Sequence, residues 1–394
     1  MFRGKMKVIL GFSGGLDTSF CTLLLKEKGY DVVTATIDTG GFSDEELKKM
    51  EKKSKELGAV KHYTINAEQE FYNKFVSYII KANGVYEDYY PNMCSDRYII
   101  AEKLIVIAKK ESTNIVAHGS TGQGNDQVRF DSAIYSLEPD FKIIVPVREL
   151  SITRKEEQEY LEKKGFEVDS EYKKYTINQN IFGYTYSGSE IDDYKEPDES
   201  IYNLTKKTKS EPEYISLEFV KGLPVSINGI KKSGYEILKD LNEKAGNHGY
   251  GRKIVVNNTI IGIKGRIVFE SPGILAIIEA HKALEKGVLT KEQYEFKKLV
   301  ENKWANLAYN GKYYDPLVND LNAFLNHNQD NVTGIVKLKL HNGNCDIVEL
   351  ESKYILEAKN IVTYAQKSSW SGDEVTGFIK LWSMQQKIHK MKNA

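Results

Sequence analysis

The sequence predicts an α/β protein that begins with a doubly wound parallel sheet and continues into an α+β domain and a C-terminal helix. Through residue 164, short apolar runs alternate with stretches of helical period, which is typical of strand–helix–strand units. Beyond residue 212, strand signals come in pairs around short turns that contain Gly or Asn, which indicates antiparallel hairpins. We therefore expect ligands to bind at the carboxyl ends of the strands in the first half.

The elements of the first half follow from apolar periodicity and from the positions of glycine. Short β-branched or apolar runs indicate the strands, which are predicted at 8–12, 31–37, 60–65, 114–118 and 142–146. Glycines typical of helix ends and one capping-box pattern, from Ser43 to Glu46, delimit the helices. The predicted helices are the segment that ends at Gly29, the segment from Ser43 to Gly58, and 68–82, 96–110 and 153–164.

The second half begins with a stretch, 188–212, that is polar, has little periodicity and is expected to cross the surface as a long loop. Hairpins are predicted for 214–220 with 223–227, around Asn257-Asn258, and for 333–340 with 345–351. Helices are predicted at 235–245, 274–286 and 291–308, and an amphipathic terminal helix at 377–392. These patterns divide the chain into domains 1–166, 167–365 and 366–394.

The composition gives no support for a nucleic-acid or membrane partner. The 394 residues carry 55 Lys and Arg and 55 Asp and Glu, so no net positive charge favours an anionic partner. No segment approaches the ~18 apolar residues of a membrane span, and the first residues lack the apolar region of a secretory signal. The three cysteines form no paired motif, as expected in a reducing compartment. We expect a cytoplasmic protein with small-molecule substrates.

The segment Ser13-Gly14-Gly15-Leu16-Asp17-Thr18-Ser19 joins the first predicted strand to the first predicted helix. Glycines let backbone N–H groups approach a ligand, and a helix N-terminus adds free donors and partial positive charge, so such a loop can bind phosphate. It lacks the Gly-Lys-Ser/Thr sequence, and with it the lysine of P-loop enzymes. The alternative is an ordinary glycine-rich turn, but the clustered hydroxyl and carboxylate side chains favour a phosphate site.

A second polar loop, 119–130, follows the predicted strand 114–118. Its glycines allow close approach of a ligand to the backbone, and Thr121, Asn125, Asp126 and Arg129 together can bind an amino acid at its ammonium and carboxylate ends. The alternative is a loop whose side chains only satisfy its own backbone. Because both loops follow strands of one parallel sheet, we expect both at the carboxyl-end edge.

With both motifs in this order and at this separation, the chain resembles the argininosuccinate synthase family, and its first loop resembles that of the N-type ATP pyrophosphatases. The resemblance extends over nearly the whole chain, including Tyr86-Glu87-Asp88, Glu270-Ser271-Pro272 and Thr376-Gly377-Phe378-Ile379. It implies a nucleotide-binding domain like that of the adenine nucleotide alpha hydrolases. It also implies a homotetramer, ATP as a cosubstrate, and Mg²⁺ that enters with ATP rather than at a metal site of the protein.

The resemblance implies a ligase of arginine biosynthesis that condenses citrulline with aspartate through a citrullyl-adenylate and releases AMP and pyrophosphate. Residues that match the family's ATP site are Gly11, Phe12, Ser13, Gly14, Gly15, Leu16, Asp17, Thr18, Ser19, Ile37 and Gly119. Thr121, Asn125 and Asp126 match its aspartate site. Residues that match its citrulline site are Tyr90, Ser95, Asn125, Arg129, Thr176, Thr185, Asn257 and Phe269. Asp17 and Asp126 are the expected catalytic carboxylates.

Several positions depart from the family pattern, and most of them lie in the citrulline site. Thr176 and Thr185 replace serines but keep the hydroxyl, Asn257 replaces a glutamate, and Phe269 replaces a tyrosine. Gln123 replaces a basic residue in the second loop. A glutamate at 257 would pair with the α-ammonium of citrulline, a charge-assisted contact of roughly 1.5–3 kcal/mol.

Two hypotheses remain for the acceptor. In the first, citrulline is retained and the departures are compensated by neighbouring groups or water. In the second, the protein is a sister ligase that keeps ATP and aspartate but takes another ureido or carbamoyl acceptor. A relative that modifies tRNA is disfavoured, because the chain has neutral net charge and no paired-cysteine module.

Overall fold

The computed structural model describes residues 6–167, 175–357 and 368–393. The chain divides into one compact unit up to Tyr354 and a second, smaller unit from Ile355 onward. Within the three described ranges, no helix has the length and apolar character needed to cross a membrane.

The first half contains a five-stranded parallel sheet, as predicted. Its strands are β1 (Lys7–Gly11), β2 (Asp31–Asp38), β3 (Lys61–Asn66), β4 (Ile115–Ala117) and β5 (Lys142–Ile144). They lie in the order β3-β2-β1-β4-β5, and every neighbouring pair is parallel. Because the chain builds outward from β1 to β3 and then returns to place β4 on the other side, the strand order reverses between β1 and β4. In a doubly wound sheet this switch point is where ligands bind.

Helices connect these strands. They are α1 (Leu16–Glu27), α2 (Asp44–Glu56), α3 (Glu68–Phe71), α4 (Ser77–Lys81), α5 (Asp96–Lys110), α6 (Asp126–Leu137), α7 (Pro146–Leu150) and α8 (Arg154–Lys163). The predicted helix 68–82 is interrupted by a π-helical turn, Tyr72–Val76. The predicted strand 142–146 ends at Ile144 because Pro146 begins α7, where its fixed φ and missing N–H suit the first turn. The sequence analysis did not predict α6.

The second half contains two antiparallel sheets. Its strands are β6 (Thr176–Asn180), β7 (Gly183–Ser187), β8 (Glu213–Val220), β9 (Leu223–Ile227), β10 (Ile230–Lys231), β11 (Arg252–Asn258), β12 (Lys264–Glu270), β13 (Gly334–His341) and β14 (Asn344–Glu351). One sheet has the order β10-β9-β8-β13-β14 and the other β11-β12-β7-β6. The second of these, which we call the acceptor sheet, includes the unpredicted hairpin β6–β7.

The predicted hairpin turn at Asn257-Asn258 is wrong. Both asparagines lie in β11 and pair with Gly265 and Lys264 of β12. The turn comes after them: Thr259 N donates to Ile263 O at 3.0 Å, and Gly262 N donates to Thr259 O at 3.1 Å. Gly262, which completes this turn, therefore determines where the chain reverses, although the Asn pair also favours a turn.

The second half also contains α9 (Gly234–Asn247), α10 (Pro272–Val288), α11 (Lys291–Tyr309) and the unpredicted α12 (Pro316–Asn328). Residues 188–212 form a long loop with two short 3₁₀ turns, Ser189–Ile191 and Glu199–Ile201. In the smaller unit, the predicted helix 377–392 is two helices, α13 (Gly372–Trp382) and α14 (Met384–Lys392). The first of these, α13, begins earlier than the predicted helix because Ser371 and Glu374 form a capping box.

One hydrophobic core serves both halves of the larger unit. A continuous cluster of buried side chains includes Ile9 and Val33 of the parallel sheet, Phe182 of the β6–β7 turn, and Ile277 and Leu338 of the second half. The two halves are thus joined by shared apolar packing as well as by the chain.

The loop after β2 lies directly against the acceptor sheet. A Cβ atom at Gly41 would lie 2.7 Å from the carbonyl carbon of Gln179, so a side chain at residue 41 does not fit. Ile181 N donates a hydrogen bond to Thr39 O at 3.0 Å. These backbone contacts fix the β6–β7 hairpin beside the carboxyl end of β2.

Candidate active site

The predicted phosphate loop lies between β1 and α1, at the switch point of the sheet. Gly14 has a φ of +72°, a left-handed conformation that favours glycine. Ser13 Oγ lies 3.3 Å from Thr18 Oγ1 and accepts a hydrogen bond from Gly15 N at 3.4 Å. The loop therefore presents the backbone of the first helical turn together with two hydroxyls, a suitable environment for an anion.

A lysine that the sequence analysis did not select also contacts this loop. Lys53 Nζ, from α2, donates to Gly14 O at 2.7 Å. Its ammonium group adds positive charge to the surroundings of the loop, in a protein whose phosphate loop has no lysine of its own. The sequence alone did not indicate this contact, because Lys53 lies in a charged helix remote from the glycine motif.

The two predicted loops meet at the switch point. A Cβ atom at Gly119, which follows β4, would lie 3.2 Å from the backbone of Asp17 and 3.3 Å from Thr18 Cγ2. Ile37 lies near the end of the neighbouring strand β2, and its side chain is packed in the core. Phe12 and Leu16 are likewise packing residues, buried in a small apolar cluster.

The loop from Gly119 to Asn125 is closed by a backbone hydrogen bond of its own and by Gln127 of α6. Gly124 N donates to Thr121 O at 3.3 Å, and Gln127 Nε2 donates to Gly122 O and Gly124 O. Gln123 is exposed at the outer part of this loop. The turn places Thr121 between Gly119 and the N-terminus of α6.

Asp126, the first residue of α6, is held by two arginines. Arg97 Nε donates to Asp126 Oδ2 at 3.0 Å, and Arg129 Nη1 donates to Asp126 Oδ1 at 2.8 Å. Burial alone would raise the pKa of this carboxyl, but the two guanidinium groups outweigh it and lower the pKa to about 2. Asp126 is therefore an ionised carboxylate over the whole physiological range, and cannot act as a proton donor there.

Arg97 connects this carboxylate to the acceptor sheet. Its Nη1 donates to Asp96 Oδ2 at 2.8 Å and its Nη2 to Asn178 Oδ1 at 2.7 Å. The sequence analysis missed Arg97, because two of its partners, Asp126 and Asn178, come from segments that meet it only in the folded protein.

One face of the acceptor sheet carries the predicted acceptor residues. Thr185 of β7 pairs with Asn178 of β6 on one side and with Phe269 of β12 on the other. Asn257 of β11 pairs with Gly265 of β12, which is four residues before Phe269. Because side chains alternate along strands and paired residues share a face, these side chains point to the same side. Thr176 lies on that side too, but it is exposed and accepts a hydrogen bond from Arg154 Nη1 at 2.6 Å.

A tight turn holds Tyr90 against this face. Tyr86 and Tyr90 form an antiparallel bridge, and Glu87 between them has a φ of +51°. The Glu87 carboxylate accepts hydrogen bonds from the backbone N–H and the side-chain amide of Asn258, which anchors the turn to β11. The Tyr90 ring meets Phe269 edge to face, with centroids 5.7 Å apart. Tyr90 is buried, which raises the pKa of its hydroxyl, so it acts as a neutral group.

Ser95 lies in a buried 3₁₀ turn, Met93–Ser95, that precedes α5. Asn180 of β6 holds this turn, because its Nδ2 donates to Met93 O at 2.8 Å and to Asp96 Oδ2 at 2.9 Å. Ser95 is fully buried, and its Oγ has no hydrogen-bond partner among the residues that the structure describes. Buried hydroxyls are usually bonded, so a ligand or water is the expected partner.

Tyr309, at the end of α11, contacts several of the predicted acceptor residues and was not selected from the sequence. Asn257 Nδ2 and Asn125 Nδ2 donate to its hydroxyl at 2.6 and 3.2 Å. The Arg129 guanidinium lies 4.7 Å from the centre of its ring, and Arg129 Nε donates to its carbonyl oxygen at 2.9 Å. Tyr86 stacks on the opposite side, with centroids 3.7 Å apart. Tyr309 therefore connects three of the predicted acceptor residues.

The structure thus brings the phosphate loop, Gly119, the Asp126–arginine cluster and the acceptor face together around the switch point of the parallel sheet. Comparison with known proteins identifies the family of the chain. Residues 7–167 match the family model described as the arginosuccinate synthase N-terminal HUP domain, and residues 175–389 match the arginosuccinate synthase C-terminal domain.

Three relatives illustrate the similarity. The argininosuccinate synthase of Xanthomonas campestris pv. campestris is 43% identical over 393 residues, which cover 98% of each chain. The argininosuccinate synthase of Methanocaldococcus jannaschii is 42% identical over 389 residues and 98% of each chain. That of Pyrococcus furiosus is 42% identical over 386 residues, 96% of this chain and 93% of the relative. The chain belongs to the argininosuccinate synthase family.

Proposed function

We propose that this protein is an ATP-dependent ligase that joins citrulline to aspartate, forming argininosuccinate, AMP and pyrophosphate in arginine biosynthesis. The observation that carries this proposal is the meeting of a phosphate loop without a lysine of its own and an arginine-held carboxylate, Asp126, at one switch point. Family membership over nearly the full chain supports the same reaction.

In this proposal the loop from Gly11 to Ser19 holds the β- and γ-phosphates of ATP. The N–H groups around Gly14 and Gly15 and the N-terminus of α1 face the pyrophosphate that leaves, while Ile37 and Gly119 contact the adenosine part through their backbones. Mg²⁺ would arrive with ATP as part of the substrate and would supply positive charge to its phosphates. Asp17, in the first turn of α1, orders this group of ligands.

The acceptor sheet presents citrulline to the α-phosphorus. The ureido oxygen forms a bond to that phosphorus, and the bond to the bridging oxygen of pyrophosphate breaks. The ureido carbon is a poor electrophile until its oxygen is part of a good leaving group, so this step makes the second one possible. We assign the carboxylate of citrulline to Arg129 and its hydroxyl contacts to Tyr90, Ser95 and Thr185.

The ammonium group of aspartate then gives one proton to the phosphate of the adenylate, the resulting amine attacks the activated carbon, the bond to the AMP oxygen breaks, and argininosuccinate forms. Thr121, Asn125 and Asp126 hold aspartate in this scheme, with the ionised Asp126 facing its ammonium group. Most of the rate enhancement comes from holding three ligands in line and from neutralising charge. Asp126 serves as an electrostatic and orienting group, because its low pKa leaves it without a proton to give.

An isotope experiment tests the reaction. Citrulline labelled with ¹⁸O in the ureido oxygen should yield ¹⁸O-AMP, detected by mass spectrometry, with one pyrophosphate for each argininosuccinate. Unlabelled AMP, or ADP as the main nucleotide product, would contradict adenylation. Pyrophosphate release with ATP, aspartate and a panel of ureido and carbamoyl compounds identifies the acceptor. Full activity on citrulline would eliminate the altered-acceptor hypothesis, which the comparisons do not favour.

We also propose a division of labour along the chain: nucleotide binding by 1–166, amino-acid binding by 167–365, and assembly of a homotetramer by 366–394. The last assignment is supported by apolar residues of α13 that are exposed, such as Leu381 at 69% and Trp382 at 72%. Size-exclusion chromatography with light scattering would test it. Location in the cytoplasm stays a prediction from the sequence.

A further inference from the structure

Glu157 is a buried acidic side chain that the reaction scheme above does not use. It lies in α8 and is 1% exposed. Both of its carboxylate oxygens are buried and accept no hydrogen bond within the described part of the chain. Burying an ionised carboxylate without hydrogen-bond donors costs free energy, so the presence of Glu157 at this position needs a physical explanation.

The packing of α8 on α1 places Glu157 opposite Asp17 of the phosphate loop. Phe20 of α1 meets Tyr160 of α8 edge to face with centroids 5.0 Å apart, and Tyr160 OH donates to Glu27 Oε2 at 2.7 Å. Lys164, at the C-terminal end of α8, also pairs with Glu27 at the C-terminal end of α1, so the two helices run side by side in the same direction. One turn before Phe20 is Asp17, and one turn before Tyr160 is Glu157.

Asp17 also has a buried carboxylate oxygen without a hydrogen-bond donor among the described residues. This oxygen is Oδ1, although Asp17 as a whole is only half-buried. Two ionised carboxylates offer acceptors alone, so neither can satisfy the other. A single proton shared between them supplies the missing donor.

The charges around the pair favour that proton on Glu157. Burial is the largest influence and the Asp17 carboxylate the next, and together they raise the pKa of Glu157 to about 9. Arg154, on the same helix, opposes this shift more weakly. On α1, Cys21 faces both carboxylates, and burial raises the pKa of its thiol, so it stays neutral and adds no charge.

We propose that Glu157 is a positioning residue for the ATP site: as a neutral acid it donates a hydrogen bond to Asp17 Oδ1 and aims the other Asp17 oxygen toward the ligands. This inference rests on the proposed function of the phosphate loop. The proton on Glu157 keeps the net charge of the Asp17–Glu157 pair at minus one. When Glu157 ionises, two negative charges face each other beside the phosphate site, and ATP binding weakens.

The test compares Glu157→Gln, which keeps a hydrogen-bond donor without a titrating proton, with Glu157→Ala. Glu159→Gln, an exposed glutamate on the same helix, is the matched control. ATP affinity is measured by calorimetry from pH 7 to 10, and KM values for ATP, citrulline and aspartate are measured at pH 7.5. Thermal unfolding shows whether each variant is folded.

In the wild type and Glu159→Gln, we expect ATP affinity to fall as the pH rises past about 9. In Glu157→Gln, affinity at pH 7.5 should stay within about threefold of wild type and the alkaline fall should disappear. Glu157→Ala should raise the KM for ATP about tenfold and leave the other two KM values nearly unchanged, as expected for one lost hydrogen bond to a charged group.

Two results would overturn the proposal. If Glu157→Gln loses as much ATP affinity as Glu157→Ala, the site needs a negative charge there, as a cation ligand would supply. If the alkaline fall persists in Glu157→Gln, another group titrates. Because ATP binding is measured without acceptor, these outcomes are separate from a failure of the proposed reaction, which would show as no AMP from citrulline and aspartate.

Discussion

Replacing Tyr309 by phenylalanine removes one hydroxyl and keeps the ring. That hydroxyl accepts hydrogen bonds from Asn257 at 2.6 Å and from Asn125 at 3.2 Å. Stacking on Tyr86 and the contact of the Arg129 guanidinium with the ring should persist, because neither uses the hydroxyl. The variant therefore isolates the link between the ring and the two asparagines.

The size of the effect follows from the burial of the two donors. Asn125 is half-buried, so water can replace its long bond, whereas Asn257 is 6% exposed and its short bond has no ready substitute. One buried unsatisfied donor costs about 1–3 kcal/mol. We expect a loss in kcat/KM for citrulline of about 5- to 30-fold, equivalent to about 1–2 kcal/mol, with the KM for ATP nearly unchanged.

The assay is steady-state pyrophosphate release with each substrate varied in turn. Tyr313→Phe is the control, because the Tyr313 hydroxyl donates to the carbonyl oxygen of Lys74 instead. Equal losses for citrulline and ATP, or an equal loss in the control, would show that the hydroxyl supports the fold in general. An unchanged citrulline kcat/KM would refute the positioning role of Tyr309.

Two further predictions concern charge in the site. Asn257→Glu should change kcat/KM for citrulline by no more than about tenfold, roughly 1.4 kcal/mol, because a gained contact with the α-ammonium is offset by burying a carboxylate. Steady-state kinetics with citrulline would measure this change. A far larger increase in kcat/KM would instead favour a natural acceptor without that ammonium. The pKa of Asp126 is lowered to about 2, so its stabilising effect is present above the ordinary Asp pKa of about 3.9 and is lost as pH falls toward 2. The difference in Tm between wild type and Asp126→Asn should therefore shrink from pH 5 to 2.5, and a constant difference would argue against the arginine contacts as its source.

The parallel sheet could be predicted because its signals are local. Each strand is a short apolar or β-branched run, and the strand–helix alternation fixes the sheet type. The phosphate loop was found for the same reason, since its glycines, hydroxyls and carboxylate lie within seven consecutive residues. The roles of these residues toward ligands stay predictions.

The elements and residues that were missed depend on contacts between distant segments. The β6–β7 hairpin is polar in sequence, and it is fixed by Asn180 binding Met93 and Asp96 rather than by apolar alternation. The α6 helix begins inside the polar motif, where loop signals hide the helical period. Tyr309 and Arg97 acquire their positions only through partners elsewhere in the chain, and neither stands in a local motif.

The common core of the larger unit has a consequence for how this protein can be taken apart. The cluster that contains Ile9 also contains Leu338, so the parallel-sheet half and the antiparallel-sheet half belong to one folding unit. A fragment that ends near residue 166 would lack Phe182 and Tyr313, so the buried rings of Phe71 and Tyr98 that pack on them would be exposed to water. Evolution could therefore exchange loops and pocket residues in this protein more readily than it could exchange its halves.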